Sequence, residues 1–589
     1  MISGSGRGPA LLATMIILAA VVGARTGLGA EGTASPGTSP TGRSAGESAD
    51  TIYVGGDIVT VNDAQPLAEA VAVKGGRILA VGSRVDVVAA HKGKATNIVD
   101  VAGRTMIPGI VDPHSHFMSA LLMVDMANVS SPPVGPATSP DEIATELGKF
   151  ADARGIRPGE LVMGYGYDEN QMTGGRMLTR DSLDTVFPDN PVLVLHVSLH
   201  GAVLNSAAMT KFGITAATPT PPHGVIVRRL GSQEPAGLVM ETAFWAVVAQ
   251  LPAPTPGQEI ERLKFEQALY AAAGVTTAQE AGASAAQVEI LRRGAEQGVL
   301  FIDVIAYPFI LELDKVLAAN PAASFGQYRN RLKLGGVKIV MDGSPQARTA
   351  YFTTPYLAGG PGGEQDWRGE PTFPQDVFNQ MLKKCYDLGL QAIVHANGDA
   401  AIDMLLAGHE SAAADSLDRD RRTTVIHSQF VRRDQLGKYV EYRLIPSFYT
   451  EHTFFFADAH LRNRGREQAY FTSPLRSAIA AGLRPTNHTD FPVLPVDQMM
   501  VLWSAVNRIS RSGEVIGPDE RVSPLAALQA ITINAAYQVF EERTKGSIEP
   551  GKLADLVILD RNPLTVPPDS IRDIKVLETI KEGKTIYRR

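Results

Sequence analysis

From Thr51 onward, short strand-like runs at Ile52–Val54, Ile58–Val61, Ala70–Val73 and Arg77–Val81 are separated by Gly-Gly, Asn-Asp and Gly-Gly turn signals. This alternation predicts hairpins of a small β domain over residues 51–106. The same texture returns only near the far end, in Gly546–Asp560 and Val576–Tyr587, so residues 541–589 are expected to complete one β-sandwich built from both ends of the chain. Between these ends, apolar runs alternate with amphipathic stretches of helical period, the pattern of repeated βα units around a parallel sheet. Eight such strands are predicted, at Ile107–Val111, Thr276–Gln279, Phe301–Tyr307, Val337–Met341, Gln391–Val394, Thr424–Ile426, Leu444–Phe448 and Arg484–Asn487. The fold class expected is therefore α/β, with a TIM (β/α)8 barrel over residues 107–540 and catalytic residues at the C-terminal strand ends. The long stretch 117–274, with its own apolar run Pro191–Val197, is then an insertion after the first barrel strand, placed to wall or cover the site.

The start of the chain has another pattern. Arg7 precedes the apolar run Leu11–Val22, which gives way to small residues, as in a secretory signal peptide. The run falls short of the ~20 apolar residues that span a bilayer, so cleavage after Ala30 or Ala24 is expected in preference to retention as an anchor. Residues 31–50, rich in Gly, Ser, Thr, Pro and Ala without apolar period, read as a flexible linker. The protein is expected to be exported, periplasmic or secreted, with no stable membrane span after cleavage.

Composition changes this picture little. The 589 residues suit one large catalytic domain plus an accessory one, and 44% hydrophobic with 20% charged residues is an ordinary soluble balance. A net charge of -7 without a basic concentration gives no reason to expect a nucleic-acid partner. The single cysteine, Cys385, excludes an intrachain disulfide, and no cysteine stands where a lipid anchor would attach.

Candidate chemistry begins where the first barrel strand ends. His114 and His116 are two apart on an extended chain, so their imidazoles point the same way. Neutral imidazole suits Zn²⁺ and related ions, although His-Ser-His alone also reads as surface or structural histidines. Further potential ligands stand at other predicted strand ends: His395 in Gln391–Asp399, His427 in Thr423–Gln429 and Asp490 in Pro485–Val493, with Lys338 on the strand in Gly335–Gly343. His200, Arg348, His452 and His488 are candidates for substrate contact or transition-state stabilisation, against ordinary loop hydrogen bonding. Glu280 is either support behind a histidine ligand or half of a barrel salt bridge. Phe454-Phe455-Phe456 either packs or lines an apolar pocket.

Together these segments resemble the amidohydrolase superfamily, in the amidohydrolase-3 group that includes N-substituted formamide deformylases. The likeness runs from Thr51 to Arg589. It rests on His114-x-His116, Gly274-Val275-Thr276-Thr277, Val337-Lys338-Ile339 with Asp342-Gly343-Ser344, His395-Ala396-Asn397-Gly398-Asp399, His427-Ser428-Gln429, Asp490-Phe491-Pro492 and Pro550-Gly551-Lys552-x-Ala554-Asp555. It implies a barrel carrying a β-sandwich and a centre of one or two divalent ions, with Zn²⁺ the first expectation, held by His114, His116, His395, His427 and Asp490. It also implies a carboxylated Lys338 bridging two ions; a buried lysine paired with a carboxylate is the alternative. An ammonium beside two divalent cations is strongly repelled, which favours the modification. By the same resemblance Asp490 is both ligand and catalytic residue, carrying a proton from water to the leaving nitrogen. Where the superfamily's last strand often ends in Gly-Ser-Asp and its sixth carries Glu-His, this chain has His488-Thr489-Asp490 and Ile426-His427, so substrate identity is what the departure leaves open.

The function expected is metal-dependent hydrolysis, by metal-activated hydroxide, of the carbon–nitrogen bond of a small non-peptide amide or N-acyl compound. Ester, lactone or cyclic-amide hydrolysis at the same centre is the enzymatic alternative. A non-catalytic binding or scaffold barrel is the other, although a scaffold has no need of so many converging ligands. A homo-oligomer is left open.

Overall fold

The computed structural model describes residues 47–589 apart from 124, 252–254 and 415, so the expected signal peptide and most of the linker lie outside the described residues. Thr51–Val59 is one continuous strand, not the two separate runs expected there, and carries a bulge between Val54 and Ile58 against its partner Leu67–Lys74. The glycines permit it. Gly55 has φ +82° and a Cβ on it would lie 2.0 Å from Asp100 Oδ1, while one on Gly56 would lie 2.1 Å from Arg104 O.

The two ends of the chain meet in a single eight-stranded sheet. Its order is Lys584–Arg588, Val576–Lys581, Leu556–Leu559, Thr105–Pro108, Thr51–Val59, Leu67–Lys74 and Arg77–Gly82, with Asn97–Asp100 also paired to Thr51–Val59. Both faces are apolar, because successive residues alternate sides: Val71 and Val73 pack with Tyr53, Leu556 and Ile580, whereas Ala70 and Ala72 pack with Ile52, Val54 and Leu79. Thr105–Pro108 belongs to this sheet, antiparallel to Leu556–Leu559. The expected first barrel strand, 107–111, is therefore split at Gly109. There the N–H donates to Asp555 O at 2.7 Å and a Cβ would meet Thr276 Oγ1 at 2.5 Å, so the crossing from one sheet to the other admits no side chain.

The βα strands are β1 (Ile110–Val111), β2 (Val275–Ala283), β3 (Asp303–Pro308), β4 (Gly336–Val340), β5 (Gln391–Ala396), β6 (Thr424–His427), β7 (Ile445–Phe448) and β8 (Thr486–Asn487). Parallel pairing runs β1–β2–β3 and β4–β5–β6–β7–β8. The Gly335 N–H donates to Ala306 O (2.9 Å) and Phe309 bridges to Lys338, linking β3 to β4. After β8, the Asp490 N–H donates to His114 O (3.1 Å), and the His116 N–H to Phe491 O (2.7 Å). The result is a mixed α/β fold with the strand ends of β1 and β8 side by side.

The insertion is a separate six-stranded sheet, ordered Gly224–Arg228, Pro235–Glu241, Gly201–Leu204, Val192–His196, Val162–Tyr167 and Ala127–Asn128. It has apolar clusters of its own around Leu147, Val162 and Val192 and around Leu195, Phe212 and Phe244. The flanking helices Phe117–Met123 and Pro256–Ala272 instead bury Phe117, Leu121, Leu263 and Tyr270 in the main core, so the inserted unit is shorter than the 117–274 expected. Among the described residues no helix is long and apolar enough to cross a membrane.

Candidate metal centre

Strand parity brings the side chains together. Val337 and Ile339 of β4 pack into the main core, which turns Lys338 to the other face; Ile393 of β5 packs with Ile305 and Ile426, and His395 shares its side. His427, the last residue of β6, and Asp490, in the turn after β8, have φ of +66° and +54°, which swing them out of strand register. Lys338 Nζ is 3.3 Å from His114 Nε2, and Asp490 Oδ1 is 3.3 Å from His114 Nε2 and 3.4 Å from His116 Nε2. His427 Nδ1 is 4.0 Å from Asp490 Oδ2, and its Nε2 is 3.1 Å from His395 Nδ1. All six expected ligands thus converge, although they come from both halves of the chain.

Their charge states suit a cation. Burial holds the imidazoles of His114, His395 and His427 well below their usual pKa, leaving neutral rings, the protonation state that a cation requires of them. Burial alone would raise Asp490, but His427, His114 and His116 around it hold the carboxyl well below the usual range. Burial pushes the Lys338 amine down to about 7, outweighing the nearby carboxylates of Asp490 and Glu280, which act to raise it. Asp490 Oδ1 is buried yet makes no well-directed hydrogen bond. One donor atom each from His114, His427 and Asp490 lie within 4.8 Å of one another, a donor set that fits a divalent cation.

A surrounding layer orients these groups, and most of it escapes a reading of the sequence. The His114 Nδ1–H donates to Gln279 Oε1 (3.1 Å), which leaves Nε2 facing the centre. Asp112 accepts from the Thr489 hydroxyl, tying the end of β1 to the end of β8. Asp342 accepts the N–H groups of Asn397 (2.9 Å), Gly398 (2.8 Å) and Tyr351 (2.9 Å) and so braces the loops after β4 and β5. Glu280 bridges to His116 through the backbone and accepts the Met118 N–H, which puts it behind a candidate ligand, with no salt bridge to it among the described residues.

The four expected substrate contacts separate. His200 reaches the centre, its ring 5.5 Å from that of His395. His488 lies inside the cluster, with Nε2 3.0 Å from His427 Nδ1 and Nδ1 2.9 Å from Ser447 Oγ, so both ring nitrogens are engaged behind a ligand. His452 is stacked on His460 with Nδ1 3.0 Å from its Nε2. Arg348 donates to Ala358 O (3.4 Å) and lies on the Glu169 side of the insertion, outside the cluster. Phe454 packs edge-on to Phe455 and Trp503.

A mixed α/β fold with imidazoles, a lysine and a carboxylate converging at parallel strand ends is that of a metal-dependent hydrolase. The model of the amidohydrolase family, in its amidohydrolase-3 group, matches residues 97–587, and the chain belongs to that family. N-substituted formamide deformylase of Arthrobacter pascens is 27% identical over 559 residues, covering 92% of this chain and 98% of that protein. Protein LONG AFTER FAR-RED 3 of Arabidopsis thaliana is 29% identical over 569 residues, 92% of each chain. The structure of an uncharacterized metal-dependent hydrolase from Pyrococcus horikoshii has a TM-score of 0.68 with 23% identity, covering 88% of this chain and 99% of that one, and shows the same fold.

Proposed function

We propose that the protein hydrolyses the carbon–nitrogen bond of a small non-peptide amide or N-acyl compound. The observation that carries this reading is the convergence of His114, His116, Lys338, His395, His427 and Asp490 at the strand ends. The name of the Arthrobacter relative, a deformylase of substituted formamides, supports the amide. The reading takes the eight strands as a closed barrel, supported by the backbone hydrogen bonds between the segments after β8 and β1.

His114, His116, His395, His427 and Asp490 would hold the cation, and Zn²⁺ suits this mixture of imidazole and carboxylate. When bound, such an ion supplies Lewis acidity to a carbonyl oxygen and makes water a stronger acid. Asp490 accepts the proton that the attacking water loses, and returns it to the leaving nitrogen as the carbon–nitrogen bond breaks. Lys338, buried and with its pKa lowered to about 7, can in its neutral form add CO₂ at Nζ; as the N–C bond forms the amine loses a proton, and the carbamate presents two oxygens where an ammonium would repel cations. The layer of Gln279, Asp112 and Asp342 keeps these groups in place.

The test is elemental analysis and turnover of the His114→Ala, His116→Ala double variant, on an amide and an ester that share one acyl group. Loss of bound metal and of amide turnover is expected. Unchanged metal content and turnover would refute the site, and hydrolysis of the ester without any turnover of the amide by the wild type would refute the bond.

We also propose that the enzyme acts outside the cytoplasm, on the strength of the apolar run Leu11–Val22 and the small residues after it. N-terminal sequencing of protein recovered from an exporting host should find a mature start after Ala30 or Ala24. Full-length protein confined to the cytoplasm would count against export.

A further inference from the structure

We propose that Glu241 is a positioning residue for the hydrolysis: it holds His200 with Nε2 toward the scissile group, so that the insertion supplies part of the reacting constellation. This rests on the hydrolytic reading above. In the insertion sheet, Gly201–Leu204 and Pro235–Glu241 run antiparallel with Gly201 opposite Met240. One step further the Glu241 N–H donates to His200 O (2.8 Å), so residues 200 and 241 face each other at the sheet's end. There the His200 Nδ1 lies 2.9 Å from Glu241 Oε2. A carboxylate only accepts, so Nδ1 carries the hydrogen and the ring presents Nε2 on its far side. Nε2 has no hydrogen-bond partner among the described residues, and the ring borders that of His395 at 5.5 Å, tilted by 48°.

Two further observations set this pair apart from an ordinary ion pair. Glu241 has φ +53° and ψ -127°, a conformation that side chains avoid, and Leu199, next to His200, has φ +57°. The second concerns the other carboxylate oxygen. Glu241 Oε1 is buried without a partner and lies where a Cβ on Gly343 would come within 2.5 Å of it. Gly343 in turn offers its carbonyl to His395 Nε2 (3.1 Å) and Asn397 Nδ2 (2.9 Å). The carboxylate is thus wedged between His200 and the loop that orients a ligand, in space that only glycine at 343 leaves. Behind His200, its N–H donates to Ser198 Oγ (3.1 Å), which lies 2.7 Å from His196 Nδ1, and His196 Nε2 lies 2.6 Å from Glu169 Oε2. The chain of contacts fixes the loop from the insertion side and leaves Nε2 free at the centre.

Steady-state kinetics, metal content and thermal unfolding of metal-loaded Glu241→Ala, Glu241→Gln, His200→Ala and the Glu241→Ala, His200→Ala double variant test this, on whichever of the paired amide and ester the wild type hydrolyses. Expected are wild-type metal content, a kcat about 10²-fold lower for both alanine variants with KM little changed, and a double variant no worse than His200→Ala alone. Glu241→Gln, which keeps an oxygen for the Nδ1–H, should regain roughly tenfold of the alanine loss. Glu241→Ala with kcat within about twofold of wild type overturns the inference, as does additivity in the double variant or loss of metal from Glu241→Gln. Wild-type protein that binds metal yet hydrolyses neither substrate overturns the hydrolytic reading, and this inference with it.

Discussion

Gln279 shows how one uncharged side chain sets what a ligand can do. By accepting the His114 Nδ1–H it fixes the ring's tautomer, so the lone pair on Nε2 faces Asp490 and Lys338. Gln279→Ala should leave the fold intact and weaken metal binding by about 10- to 100-fold, measured by competition with a chelator. An unchanged dissociation constant would remove Gln279 from the mechanism. The contrast between Gln279 and His114 also marks what could be read beforehand. The six candidate ligands were legible because each sits on or just after a predicted strand in a short recognisable segment, and the fold only had to bring those segments together. Glu241, Gln279 and Asp342 were not, because their partners lie on other strands or in the insertion, and a Glu or Gln gains its meaning from such distant neighbours. His488 was legible as a residue of the cavity but not as one whose two nitrogens are both occupied.

At the scale of elements, apolar runs and turn signals located all eight βα strands and the meeting of the chain's ends, which join in one sheet where a sandwich was expected. What they missed lies where glycine changes the path of the backbone. The Gly55-Gly56 pair read as a turn because glycines commonly end strands; here they let Asp100 and Arg104 approach, and the strand continues through a bulge. Residues 107–111 read as one strand because their side chains are uniformly apolar, and hydropathy carries no sign of a change of partner at Gly109. The insertion's limits were overdrawn for a related reason. The helices Phe117–Met123 and Pro256–Ala272 lack their own strand signals, and only packing shows that their apolar residues serve the main core. The sheet within the insertion supplies His200 and Glu241 at the ends of adjacent strands, so the element that looked like a cover also reaches the centre.

For the whole molecule, the join between the βα strands and the terminal sheet is ionic. Asp303, at the start of β3, accepts from Lys545 and Lys581, each at 2.6 Å, and from Arg331 at 3.1 Å, while Lys581 also reaches Asp555 at 2.7 Å. Burial alone would raise the Asp303 carboxyl; the two ammonium groups outweigh it and hold the carboxyl well below its usual range. A depressed carboxylate contributes stability above its unfolded pKa, about 3.9, and loses it as the pH falls, because the unfolded chain then binds the proton more readily. Unfolding free energy should therefore drop as pH is lowered from about 5, and less steeply in Asp303→Asn, which should also lose about 3–5 kcal/mol at neutral pH by stranding buried ammonium groups. Urea melts across this range would show it, and equal acid slopes for the two proteins would exclude Asp303 as a source.

The terminal sheet has a consequence in time. Thr105–Pro108 lies between Thr51–Val59 and Leu556–Leu559, so during synthesis one of its edges stays bare until nearly the last residues have been made. Contacts so far apart in sequence are slow to close, and an unpaired apolar edge invites pairing with another chain. The platform therefore forms only after the strands it supports have already been synthesised.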